Sequence, residues 1–409
     1  MMIGSGVFLL PAVLAPYGSI SFLGWLFTSA GAIVIALVLG RLAGRTDRSG
    51  GFYIYTREAF GALPGFIVAW SYWVSIVFAI TAVSVAFAGY AGVLIPALND
   101  TVLGQAAIAA SIILVLTGVN LKSVSGAASL QLVMTLLKIT PLLIIIALGI
   151  YAGDVKNIPP FNPQSLPLTE ALATTALLTM WAFLGIEAGV VPAGEIKDAK
   201  RTVPRAVIAA TLMVAAIYIA STAAVMMLVP AEILAQSQSP FADAAAILGP
   251  IGGPLIAIGA LVSTAGSLNG NILLGGQMPA AAARDGCAPS QLARTNKGHA
   301  PTIAIITSSV LAMLLLFLNY NSGLLSAFTF LISISTLATL LPYAISALAE
   351  IKYSITNARA WVILAIVALI YAVIAMAGAG PKTLLWGLVL IAAGLPVFYW
   401  SKMQHRNEN

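Results

Sequence analysis

The sequence has little charge, one cysteine and two histidines. Only 8% of its 409 residues are Asp, Glu, Lys or Arg, against 60% that are hydrophobic. A soluble domain carries about 25% charged and about 45–50% apolar residues. A water-soluble fold of this length would lack the charge to cover its surface. The lone Cys287 excludes an intrachain disulfide and a multi-cysteine metal site. His299 and His405 lie near the ends of apolar runs, which argues against a histidine-based metal site or triad. No paired carboxylates, metal ligands or activated nucleophile stand together, so neither an enzyme active site nor a cofactor is expected. The formal net charge is +6, yet the basic residues form no patch for nucleic acid. They occupy short breaks between long apolar runs. No Lys or Arg precedes the first apolar stretch and many more stretches follow, so a signal peptide does not explain it.

What is present suits lipid as the solvent. A membrane-spanning helix takes about 20 apolar residues. Residues 1–40 carry no charge, too long for one span and a little short for two. A break near Pro16-Tyr17-Gly18 leaves a short first piece, about 3–16, and a full span, about 20–40. Later charge-free stretches are 60–99, 101–121, 123–137, 139–153, 206–231, 244–283, 300–349, 360–381 and 383–401. Residues 123–153 read as one span interrupted by Lys138, and 171–194 as one span interrupted by Glu187. The stretch 300–349 reads as two spans broken between Asn319 and Gly323, and Ser239 to Leu248 as a short external helix. The expectation is an all-α integral membrane protein of about twelve segments, the first incomplete at its N-terminus.

Alternate breaks differ sharply in charge. One set holds 16 of the 19 Lys and Arg residues, from Arg41, Arg45, Arg48 and Arg57 to Lys402 and Arg406. The other set holds only Lys156 and Lys382; Lys138 lies within a span. The positive-inside rule puts the basic set, and with it the C-terminus, in the cytoplasm.

Membrane helices break where freed backbone groups can line a cavity, and transporters often pair two broken helices from related halves. Gly4-Ser5-Gly6 can unwind a helix so that the amides of the resumed helix face an anion; a small-residue packing patch is the alternative. Trp181-Ala182-Phe183-Leu184-Gly185-Ile186-Glu187 puts an aromatic, a glycine and a carboxyl within seven residues of the sixth span. An acidic residue inside a span is a functional hypothesis by default; a carboxyl bonded to a neighbouring helix is the alternative. Lys138 sits mid-span with no neutralising neighbour in sequence, as a built-in cation or a group that sheds its proton; snorkelling is hindered by about 15 apolar residues on either side. Tyr72 and Trp73 either wall a pocket or simply pack. Ser267, Asn269 and Asn271, and Ser333 and Ser335, either bind a ligand or hold helices together. Glu195, Lys197, Asp198, Lys200 and Arg201 read as a cytoplasmic gate or loop brace.

These residues carry a resemblance over nearly the whole chain. Gly4-Ser5-Gly6-Val7-Phe8-Leu9-Leu10-Pro11 resembles the opening motif of the amino acid–polyamine–organocation transporters. Ser49-Gly50-Gly51 with Tyr53 and Tyr55 resembles that family's first cytoplasmic loop. Trp181 to Glu187, Gly194-Glu195 and Arg201-Thr202-Val203-Pro204 resemble its sixth segment and following loop. Gly276-Gln277, Ala280 to Ala283, Asp285-Gly286 and Pro289 resemble the end of its eighth. Within the family the likeness is greatest to the basic amino acid/polyamine antiporters of the arginine/agmatine type. The resemblance implies a five-plus-five inverted-repeat (LeuT-like) fold in one domain, 1–409. Its repeats would run about 1–152 and 169–350, followed by two extra helices, about 357–402. It also implies alternating access. Ser5 and Gly6 would hold a carboxylate, the carbonyls around Trp181 and Leu184 an amine, and Ile3 would be a further substrate-binding residue. Trp181 would be an aromatic gate, Tyr72 a gate residue linked to Glu187, and Glu187 a proton-sensitive group. Ser75, Asn271 and Ser333 would complete the substrate pocket.

The chain departs from that pattern. Asn271 stands where the antiporter has a stacking tryptophan, and Ile80 where it has an asparagine. Lys138 resembles instead the lysine at the sodium position of proton-coupled relatives and of neutral amino acid exchangers. Family members begin about 20 residues earlier, so Met1 suggests a misassigned start codon rather than a truncated chain. The expected function is an amino acid permease, an amino acid/amine antiporter in the inner membrane, with a possible homodimer. The alternatives are a proton-coupled neutral amino acid symporter or facilitator using Lys138, and a non-transporting sensor or remnant.

Overall fold

A computed structural model describes residues 4–45, 51–99, 101–122, 138–189, 199–319 and 323–408. Among them every regular element is helical. The chain runs through α1 (Ser5–Leu14), α2 (Ile20–Ala43), α3 (Phe52–Phe60), α4 (Ala62–Leu94), α5 (Val102–Lys122), α6 (Thr140–Ala152) and α7 (Leu168–Phe183). It continues through α8 (Ala199–Leu228), α9 (Gly252–Arg284), α10 (Thr302–Asn319), α11 (Leu324–Ser354), α12 (Arg359–Ala377), α13 (Gly380–Ala392) and α14 (Gly394–Glu408). Nine helical segments of the described residues are long and apolar enough to cross a membrane. Three apolar helices are shorter: Gly6–Tyr17, Thr140–Ala152 and Leu168–Phe183. These fall on the three spans that the sequence marks as incomplete or interrupted. The last expected span is divided in two, α13 and α14, at Ala393. Ser239 to Leu248 forms the short helix Pro240–Ala244 and the start of a 3-10 turn.

The exterior is apolar. Leu103, Ile150, Tyr151 and Leu318 are each more than three-quarters exposed. In water such a surface would aggregate; in hydrocarbon it costs nothing.

With both surfaces apolar, helix association rests on small residues and interhelical hydrogen bonds. The long helices α4 and α9 pack along each other as a spine, with α11 against α4. Helices α5 and α10 each touch both members of that spine. Helix α2 packs on α7 and α8, and α12 closes against α2 and α11. Gly24 lets α2 approach α7 so closely that a Cβ there would meet Thr175 Oγ1 at 2.4 Å. Thr28 and Thr179 share a hydrogen bond of 2.8 Å across the same contact. Ser71 donates to the Ala338 carbonyl at 2.7 Å, tying α4 to α11.

Loops gather at two ends. At one end Arg41 and Arg45 bind Glu350, Arg57 binds Asp285, and Lys352 donates to the Ala59 carbonyl. Asn296 donates to the Leu121 carbonyl at this end too. At the other end the Ser19 amide donates to the Pro160 carbonyl, Asp154 N–H to Met227, and Gln105 to Gln238. The basic breaks of the described residues therefore share one end of the bundle.

Candidate functional site

Helix α7 stops in mid-bundle because of its sequence. Leu184 leaves the helix with an extended ψ of 134°. Gly185 follows at φ +105°, a conformation that glycine adopts freely and other residues rarely do. A 3-10 turn then resumes over Ile186–Gly189. The break frees carbonyls of the last turn. That of Ala182 accepts the Tyr218 hydroxyl at 3.3 Å. The break also turns Glu187 back on itself, so that its Oε2 accepts the Gly185 amide at 3.0 Å.

Helix α1 begins beside this break. Its N-cap, Gly4, is non-helical, and no side chain caps the helix. The first amides of α1 therefore lack an intrahelical acceptor. Gly6 is required by close approach: a Cβ there would lie 2.9 Å from Trp181 Cδ1 and 3.1 Å from the Ala182 Cα.

Between the start of α1 and the break in α7 lies a cavity of about 60 Å³, room for a few water molecules. Gly4 and Gly6 of α1 line it, with Trp181, Leu184, Gly185 and Glu187 of the α7 break. Helix α4 contributes Tyr72, Ser75, Ile76 and Ala79; α9 contributes Ser267, Asn271 and Leu274; α11 contributes Ser335 and Thr339. Glu187 is 4% exposed. Its Oε1 accepts the Tyr72 hydroxyl at 2.7 Å and its Oε2 the Tyr343 hydroxyl at 2.6 Å. With the Gly185 amide, three donors converge on one carboxyl. Phe52 of α3 backs this cluster, edge-on to Tyr72 at 5.1 Å and to Tyr343 at 5.6 Å.

Several expected residues thus come together: Gly6, Tyr72, Ser75, Trp181, Leu184, Glu187 and Asn271 all border one cavity. The Trp181 indole N–H is buried and has no acceptor among the described residues. Ser75 and Asn271 turn their polar groups on their own helices, Ser75 Oγ to the Tyr72 carbonyl and Asn271 Nδ2 to that of Ser267.

Others lie elsewhere. Ser333 does not border the cavity; its hydroxyl donates to the Thr329 carbonyl at 2.7 Å. Two and six positions on, Ser335 and Thr339 border it instead, with Ser335 Oγ bonded to the Ser75 carbonyl at 2.7 Å. Ile80 is fully buried away from the lining. Asn269 turns to Asn120 instead, accepting its side-chain amide at 3.0 Å. Trp73 donates to Ser308 at 2.8 Å on the other side of α4. Lys138 is 1% exposed, separate from the cavity lining, and its amine has no hydrogen-bond partner among the described residues. Ile3, the side chain of Ser5, the Ser49-Gly50 pair, Gly194 and the Glu195 to Arg201 side chains lie outside what is described. Tyr343, Thr339, Ile76, Ala79 and Leu274 were not legible in advance. The one signal for Tyr343 is a lone phenol after Pro342 in an apolar run.

A helical bundle with an apolar exterior and a small cavity between the start of one helix and the break in another has the form of a membrane carrier. A family model described as amino acid permease matches residues 1–400. A putative arginine/ornithine antiporter of Bacillus subtilis (strain 168) is 33% identical, covering 86% of this chain and 81% of that protein. A cadaverine/lysine antiporter of Escherichia coli (strain K12) is 31% identical over 100% of this chain and 93% of its own. A putative arginine/ornithine antiporter of the same strain is 30% identical over 100% and 91%. The chain belongs to the amino acid permease family. That family consists of multi-pass membrane transporters, not enzymes.

Proposed function

We propose that this protein exchanges a basic amino acid for a related amino acid or amine by alternating access, in the inner membrane with its C-terminus in the cytoplasm. One observation carries the reading. The open start of α1 and the break in α7 face each other across one cavity that also holds Glu187. The α1 amides, at Ser5 and Gly6, take the substrate carboxylate, because a helix N-terminus favours an anion. The carbonyls freed around Trp181 and Leu184 take the α-amine. Trp181 shuts the cavity on one side. The Tyr72–Glu187–Tyr343 cluster shuts it on the other, with Glu187 as the proton-sensitive member. Ser75 and Asn271 border the side-chain pocket with Ser335 and Thr339, which replace Ser333 in that role.

The packing supports a single domain of two inverted repeats. The first-repeat helices α1, α2 and α4 each pack on a counterpart in the second, namely α7, α8 and α9. Helices α5 and α10 flank the α4–α9 spine in matching fashion. The similar antiporters support a basic substrate.

The test is counterflow in proteoliposomes. Vesicles loaded with arginine, ornithine, lysine or cadaverine are offered labelled amino acids. Uptake that depends on internal substrate is expected, and uptake indifferent to it would remove exchange. A second reading, a proton-coupled carrier of smaller neutral amino acids, is favoured by the lining itself. Ile76, Ala79 and Leu274 are apolar, and Glu187 is already engaged by three donors. Labelled alanine uptake driven by a proton gradient into empty vesicles would establish it instead.

A further inference from the structure

Helix α4 borders a second cavity on its opposite side. This one holds about 180 Å³ between α4, α9, α14 and the turn after α9. Its walls include Phe66, Trp70, Trp73, Met278, Pro279 and Leu292. The polar tips of both indoles are used elsewhere. Trp70 Nε1–H donates to the Leu390 carbonyl and Trp73 Nε1–H to Ser308, each at 2.8 Å. Neither indole N–H is left for a ligand. An apolar cavity of about 150 Å³ stays dry and takes up a hydrocarbon such as benzene. In a bilayer the available hydrocarbon is an acyl chain.

The rim carries the opposite chemistry. Lys402 Nζ lies 4.9 Å from the Phe398 ring, and Phe398 packs 5.1 Å from Phe66, a wall of the cavity. Ser401 donates to the Gly286 carbonyl at 3.5 Å, which brings α14 against the turn that follows Arg284. Lys402, Arg284 and Arg294 are exposed and pair with no carboxylate among the described residues. The carboxylate of the same turn, Asp285, is held by Arg57 at 2.6 Å. A basic rim over an apolar slot between helices is the arrangement that recognises an anionic lipid.

We propose that this cavity seats one acyl chain of an anionic phospholipid whose phosphate is held by Lys402 and Arg284. The seat shares helices with the central cavity. Trp73 adjoins Tyr72 on α4, and Met278 lies one turn from Leu274 on α9. The bound lipid thus braces the two helices that form the spine.

The experiment reads lipid binding directly, not transport. The full chain is reconstituted in phosphatidylcholine vesicles doped with a minor fraction of brominated phosphatidylglycerol or brominated phosphatidylcholine, and tryptophan quenching is followed. Brominated phosphatidylglycerol is expected to quench at the lower fraction, and Trp70→Phe with Trp73→Phe to remove most of the difference. Lys402→Gln with Arg284→Gln, both at exposed positions, is expected to weaken the preference roughly twentyfold, about fivefold per charge. Ala282→Leu fills the seat and is expected to abolish the preference while leaving the charges in place. Equal quenching by the two lipids overturns the proposal. So does a preference that survives removal of both charges or filling of the seat. Absence of quenching by either lipid, with a dimeric mass in solution, assigns the face to a second copy and equally overturns it.

Discussion

The Tyr343 hydroxyl donates to Glu187 Oε2 at 2.6 Å, joining two helices across 156 residues of sequence. With Tyr72 on the other oxygen, the carboxyl fastens α4 and α11 to the break in α7. Tyr343 itself does not border the cavity, so on the proposed function its role is closure rather than binding.

Tyr343→Phe keeps the edge-on contact with Phe52 and removes one donor from the carboxyl. A hydrogen bond contributes about 0.5–1.5 kcal/mol net. The expected outcome is a slower maximal exchange rate with half-saturation changed by less than about threefold, since an interaction absent from the bound ground state alters turnover rather than binding. Initial-rate counterflow at varied substrate measures both. A large rise in half-saturation with unchanged maximal rate would return Tyr343 to the binding site.

Gly6→Ala tests the close approach of the two broken helices. The new methyl would lie 2.9 Å from Trp181 and 3.1 Å from the Ala182 backbone, so the helices must part. Overpacking of this kind costs about 1–3 kcal/mol, which corresponds to about a five- to 150-fold loss of affinity if the strain falls on the cavity. Substrate-induced thermal stabilisation of the purified protein is expected to vanish at concentrations that stabilise the wild type. Gly185→Ala, at φ +105°, is expected to lower the melting temperature itself.

Much of this site was readable from the sequence, and the misses have physical causes. The break at Leu184-Gly185 is marked in the sequence by a glycine and a carboxyl that interrupt a run which lipid otherwise requires to be helical and apolar, and Gly4 stands at the start of α1. Lys138 stands out by the same rule. Ser333 stands two positions before Ser335 and six before Thr339, the α11 residues that border the cavity. In a helix with both lipid and protein neighbours the apolar pattern does not mark an inner face, and a slip of two residues turns the side chain by about 200°. Tyr343 gave no warning because its partner lies in another helix, and a phenol in an apolar span ordinarily packs. Ile80 is fully buried and does not border the cavity, so its identity does not write the cavity's polarity.

Glu350 forms a second buried polar cluster at the basic end. It is fully buried, accepts Arg41 at 2.8 Å and Arg45 at 2.9 and 3.1 Å, and receives Ser354 at 2.5 Å. Arg41 also lies 4.5 Å over Trp361. The cluster joins α2 to α11 and α12. The single cysteine offers a reporter at the same end: Cys287 is buried against the Tyr53 hydroxyl at 3.5 Å. Glu350→Gln leaves two arginines with one neutral acceptor, and loss of one partner of a buried pair is strongly destabilising to the state that buries it. Maleimide labelling of Cys287 in native membranes is expected to be slow in the wild type and several-fold faster in Glu350→Gln. Identical labelling rates would show that the cluster braces a fixed part of the bundle.

Lys138 discriminates between the two transport readings. An ammonium buried without a hydrogen-bond partner is costly, and Lys138 is 1% exposed with none among the described residues. Substituting Met keeps the volume of the side chain and removes the polar group, so Lys138→Met is expected to raise the melting temperature. Retention of a group that weakens the fold then requires a functional reason. If Lys138 carries the coupling proton, Lys138→Met abolishes uptake driven by a proton gradient while leaving exchange between loaded vesicles intact. If exchange through Glu187 needs no such proton, both activities keep the wild-type pH profile. Parallel measurement of gradient-driven uptake and counterflow on the same preparation separates these outcomes. A variant that loses both together, with no gain in stability, would assign Lys138 to the packing of α6 against α9 instead.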